Sequence, residues 1–160
     1  MRLEKYVGKI NYLESEEDLR SFVSAMIKKA KEEGLSREEA EEFVCFVLEI
    51  LLEHERIDGP FPWSWEFEEP EYRESFFTSI LEFAQKVARE KYGVRFQFID
   101  QWADLKRQGY ITFIIKPKID CVKAEFYGFM SIQGPDDLAI LLLPLWKMIK
   151  RNSTKRLLCQ

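Results

Sequence analysis

Two amphipathic helices written back to back, with no more than two residues between them, constrain this chain more than any other feature. From about Ser15 to Glu33, Leu19, Phe22, Val23, Met26, Ile27 and Ala30 recur at helical spacing and form one apolar stripe. Ser15 is placed to cap that helix, Glu16, Glu17 and Asp18 suit its positive end, and Gly34 suits its stop. Ser36-Arg37-Glu38-Glu39 then reads as a capping box opening a second helix to about His54. Its apolar set is Ala40, Phe43, Val44, Val47, Leu48, Leu51 and Leu52, widened by Phe46 and Ile50. So short a connection makes the pair a helical hairpin. The preceding Lys5–Leu13 reads as a short strand or an arm.

Beyond the hairpin the pattern changes. Residues 56–70, which include Pro60, Pro62, Trp63, Trp65 and Pro70, read as a loop. A third helix is expected from about Glu71 to Tyr92, ending at Gly93. The apolar period then drops from 3.6 to 2: Val94, Phe96 and Phe98 alternate with Arg95 and Gln97. Tyr110–Lys116 and Ile119–Met130 read as two further strands joined near Pro117, and Pro135 with Asp136 and Asp137 opens a last helix to about Arg151, bent at Pro144. The expected fold is therefore α+β: a helical hairpin followed by an α-β-β-β-α unit, with a small, mostly antiparallel sheet packed on helices. With 160 residues this is one domain: an arm and hairpin (1–55), an aromatic loop (56–70), the αβββα unit (71–151) and a basic tail (152–160).

Charge divides unevenly. Residues 1–92 carry 13 basic and 22 acidic side chains, a net of −9, while residues 93–160 carry a net of +5. Such asymmetry marks either a basic binding surface or two halves that attract each other. The 21 Glu and 14 Lys against two Asn and six Gln are a thermophile-like bias. Three widely spaced cysteines (Cys45, Cys121, Cys159), the lack of a signal-peptide core and the lack of a long apolar run place the expected protein in the cytoplasm, off the membrane.

Several chemistries find no support in the residues. His54 is the sole histidine, so no two-histidine zinc motif can form, and there is no Cys-x-x-Cys. Nucleophile-elbow and phosphate-loop patterns are absent, and no cofactor is implied. His54, near a helix end, and Cys45 and Cys121, in apolar elements, read as structural. One enzyme reading survives as an alternative. The element order from residue 71 resembles the αβββα cores in which metal-dependent nucleases or phosphoesterases set an acid and an acid-x-Lys triplet on a sheet. Asp100, Asp104 and Asp120 are the candidate ligands. The only such triplet, Asp104-Leu105-Lys106, falls in an expected helical turn rather than a strand.

The preferred reading is a small non-catalytic binding protein, a regulator or accessory factor. Phe61, Trp63, Trp65 and Phe67 form a proline-bounded aromatic loop suited either to a partner protein or to a lid on the core. The run Leu138–Trp146 leaves its helix no polar face, which points to self-association through Leu138, Leu141, Leu142, Leu145 and Trp146 in a homodimer. Nucleic acid, bound by a basic second half with Lys147, Lys150, Arg151, Lys155 and Arg156, is disfavoured by the pI near 5.3.

Overall fold

The caps read from the sequence are formed in the computed structural model. It describes residues 2–59, 82–94 and 135–150 (without 137, 140, 141 and 148), and the backbone alone of the five short strands given below. Helix α1 (Glu16–Glu32) starts where the Ser15 hydroxyl accepts the Asp18 amide at 3.0 Å. It stops on Gly34, whose φ of 98° lets the Leu35 amide turn back to the Ala30 carbonyl. This double turn satisfies carbonyls that the helix end would otherwise leave bare. Helix α2 (Arg37–Asp58) opens on the capping box of Ser36 and Glu39, and runs four residues past the expected end to Gly59. Residues 82–92 are helical (α3), as are the described residues of 135–150 (α4), Pro144 among them.

The N-terminal arm is not a strand. Residues 4–9 form hydrogen-bonded turns, followed by a 3-10 turn at Asn11–Leu13. This coiling seats Leu3, Tyr6, Ile10 and Leu13 in the core.

Helix α2 is the axis of the packed body. Ala40, Phe43, Val44, Phe46, Val47, Leu48, Ile50, Leu51 and His54 are all buried, so most of its circumference faces other elements. A helix apolar on so many sides must be wrapped. Wrapping comes from α1, from α3 through Tyr92 edge-on to Phe46 and Phe83 beside His54, and from α4 through Trp146 against Phe43 and Phe46.

This architecture overturns the α+β expectation. Of the residues whose packing is described, 78% are helical and none lies in a strand. Extended backbone does pair, with β2 (Phe96–Asp100), β3 (Ile111–Pro117) and β4 (Ala124–Gly128) antiparallel in the order β2-β3-β4, and β1 (Trp65–Glu66) beside β5 (Ser131–Ile132). A fold defined by a sheet packed on helices is not supported. In the described body α2 is covered by α1, α3, α4 and the arm, so the core seen there is helical. Alternation of period 2 reports an extended backbone; it does not report what that backbone packs against.

The apolar run near 138–146 packs inward where it is described. Leu138, Leu142, Leu145 and Trp146 are buried within a single chain, as are Ala139 and Leu143, while Leu141 lies outside the described residues. The self-association expected of this run needs apolar side chains left over at the surface, and those described are covered within one chain.

Candidate functional site

The described surface is concave along helix α1. Arg20, Ser24, Lys28 and Lys31 follow one another at intervals of four, four and three residues, which sets them on one stripe of α1. Ile27 lies beside that stripe. A concavity of about 520 Å³ opens there, lined by Ser24, Ile27, Lys28, Lys31, Glu32 and Arg37. A smaller one of about 220 Å³ continues past Val23 to Leu3 of the arm, and again includes Ser24 and Arg37. The two form one groove between α1 and the start of α2. Its floor is apolar, since Val23 and Ile27 keep 7% of their surface exposed and Leu3 keeps 8%.

The rim is cationic but unevenly matched. Arg20 is held by Glu16 at 2.7 Å and Arg37 by Glu41 at 3.0 Å. Lys28 and Lys31 have no carboxylate partner among the described residues. Like charges three apart on a helix repel by roughly 0.2–0.5 kcal/mol in water. Lys31 regains something from the α1 C-terminus, where a cation suits the dipole. Lys28 stands a turn earlier.

A second polar cluster is structural. The Glu49 carboxylate accepts the Tyr6 hydroxyl at 2.6 Å, and lies 2.6 Å from Lys5 and 3.5 Å from Lys91. It thereby ties the arm and α3 to α2. Burial pushes the Glu49 carboxyl up, but hydrogen bonds from Lys5 and Tyr6 and the charge of Lys91 outweigh it, and the net pKa lies below the usual range. Burial, reinforced by Glu49, raises the Tyr6 hydroxyl. A carboxylate with a depressed folded pKa stabilises the fold at neutral pH, and that contribution disappears as the pH falls through the depressed value. Glu49→Gln should therefore lower the free energy of unfolding at pH 7, and the gap to wild type should close in acid. Urea titrations at a series of pH values check this; a gap independent of pH would contradict it.

The same economy of pairing recurs along α2. Glu53 is held by Arg56 at 2.7 Å and Lys86 at 2.6 Å, and Glu42 by Lys150 at 2.9 Å. Hydrogen bonds from Arg56 and Lys86 pull the Glu53 carboxyl down. Of the basic C-terminal set proposed for nucleic acid, Lys150 also lies 5.4 Å from the Trp146 ring and 5.9 Å from that of Tyr92, and Lys147 donates to the Glu33 carbonyl. Both are turned onto the acidic hairpin. Arg151, Lys155 and Arg156 lie outside the described residues.

His54 is buried at 6% exposure, with Nδ1 3.0 Å from the Gly59 carbonyl and the ring beside Phe83. Burial, then Glu49, raises the half-buried Cys45 thiol, which disfavours the nucleophilic thiolate. Phe61, Trp63 and Phe67 lie outside the described residues, and Trp65 is placed only as backbone opposite Ile132. Asp104 and Asp120 lie outside them too, and Asp100 is placed only as backbone opposite Phe113. Among the described residues no group of three His, Cys, Asp or Glu side chains could hold a metal ion, and no helix is long and apolar enough to cross a membrane.

Comparison with family models, with curated proteins and with solved structures finds no match for this chain.

Proposed function

We propose that this chain is a small, non-catalytic interaction protein of the cytoplasm, which docks a partner protein in the groove between α1 and the start of α2. One observation carries the reading: the groove has an apolar floor of Leu3, Val23 and Ile27, largely buried and reaching the surface only at its edge, beneath a rim whose charge is not fully matched among the described residues. On α2, Glu41, Glu42, Glu49 and Glu53 are each held by a cation, whereas Lys28 and Lys31 have no carboxylate partner among the described residues, and such an uneven rim suits a docking surface. The cytoplasmic assignment is supported by the three widely separated cysteines. Self-association through 138–146 forms no part of the proposal, because those side chains are enclosed.

Filling the groove tests the reading. Ser24 is exposed in mid-helix and borders both cavities, so Ser24→Trp should block them without touching the core. Peptides selected by phage display on the wild-type protein should lose most of their binding to Ser24→Trp, with the circular dichroism of the two proteins alike. Selected peptides that bind both proteins equally would contradict the proposal.

A further inference from the structure

We propose that the occupant of this groove is an acidic segment of a partner protein, its carboxylates meeting Lys28 and Lys31 and one apolar side chain resting on Ile27. The inference rests on the docking role proposed above and adds the chemistry of the partner.

Charge is the first argument. The half of the chain bearing the groove has a net of −9, yet the groove is lined by Arg20, Lys28, Lys31 and Arg37 against Glu32 and Glu41. This is a local inversion of sign on an acidic background, and such an inversion selects partners by charge. The state of each cation is the second. Arg20 and Arg37 already carry Glu16 and Glu41, which fixes their guanidinium groups at the groove edge. Lys28 and Lys31, on the same stripe, have no carboxylate partner among the described residues, with the Ser24 hydroxyl one turn from Lys28 as a further donor. A carboxylate placed between the two ammonium groups would replace their mutual repulsion by attraction.

Shape decides the class of anion. A bare inorganic anion has no use for Val23, Ile27 and Leu3, whereas a peptide carrying one aliphatic or aromatic residue among acids uses both floor and rim. The cavity of about 520 Å³ has room for such a side chain with part of its backbone. A nucleic acid fits less well. Its affinity grows with the number of phosphates neutralised, and two unmatched lysines on a protein of net charge −4 neutralise few.

The probe is a fluorescein-labelled peptide, Glu-Asp-Glu-Leu-Phe-Glu-Asp-Glu, followed by fluorescence anisotropy at low salt. It should bind the wild-type chain, and binding should weaken as salt is added. The double variant Lys28→Glu, Lys31→Glu should bind roughly tenfold or more weakly, because two attractions become repulsions. Lys28→Arg, Lys31→Arg should retain binding, which excludes a loss caused by misfolding. The counterpart peptide with every acid replaced by its amide should bind less well than the probe. Equal binding of the amide peptide, or an unchanged affinity in the charge-reversed variant, would overturn the acidic partner; the docking role would survive that if Ser24→Trp still abolished binding. A single-stranded oligonucleotide binding more tightly than the peptide would overturn it in favour of a polyanion. Indifference of every ligand to both Ser24→Trp and charge reversal would remove the docking role as well.

Discussion

Replacing Leu142 by glutamate should leave no folded protein at neutral pH. Leu142 has no exposed surface, and Ala139, Leu143, Leu145 and Trp146 around it in sequence are buried too. Removing a buried leucine costs roughly 2–5 kcal/mol through lost transfer energy and a residual cavity. Enclosing an unpaired carboxylate adds several kcal/mol more, after whatever relaxation the site allows. Together these rival the whole stability of an ordinary domain, about 5–15 kcal/mol. Far-UV circular dichroism and size exclusion read the outcome directly. A folded, monodisperse variant would show that this side chain faces solvent or a second chain, and would restore the case for self-association.

Trp146→Ala should be nearly as damaging, at roughly 3–5 kcal/mol for a large buried aromatic. The indole joins three helices. It lies 5.3 Å from Phe46 and 6.4 Å from Phe43 on α2, and meets Tyr92 of α3 edge-on at 5.0 Å. Edge-on and tilted rings attract beyond their buried area by about 0.5–1.5 kcal/mol per pair. The truncation therefore removes area and ring contacts at once, at the place where α2, α3 and α4 converge. Trp146→Phe keeps one ring and should lose less. Urea unfolding followed by circular dichroism measures both; a Trp146→Ala midpoint equal to wild type would contradict the helical core described above.

How much of this was legible in the sequence depends on how local each feature is. The Ser15 cap, the Ser36–Glu39 capping box and the Gly34 stop involve residues within five positions of one another, and each formed where the pattern placed it. Packing is not local. The rule that a helix apolar all round must be enclosed holds for Leu138–Trp146, whose sequence alone points to a second copy. It applied equally to Phe43–Leu51, where seven of nine residues are buried, and the two facts together mean that one helix wraps the other. The α+β expectation failed for a related reason: alternation in 94–98 speaks of backbone conformation, whereas fold class depends on what the helices bury. The charge asymmetry admitted two meanings, and Lys147 and Lys150 turned onto the hairpin support mutual attraction.

The groove does not show in the composition. Basic residues are densest in the second half, whereas Arg20, Ser24, Lys28 and Lys31 sit in the acidic half and stand out only when the solvent side of α1 is traced at helical spacing. That tracing needs nothing beyond the sequence. What it lacks is the knowledge that Arg37 and Leu3 close the far wall, and this comes from the turn at Gly34 and the coiling of the arm.

The central claim, that the outer face of α1 is a docking surface, is tested most directly by amide NMR of the uniformly ¹⁵N-labelled chain titrated with the acidic peptide. The account predicts shifts concentrated between Arg20 and Arg37, with Ser24, Ile27, Lys28 and Lys31 among the largest. Shifts concentrated on α3 or α4, or spectra unchanged at millimolar peptide where only binding weaker than about −4 kcal/mol would escape notice, would contradict it.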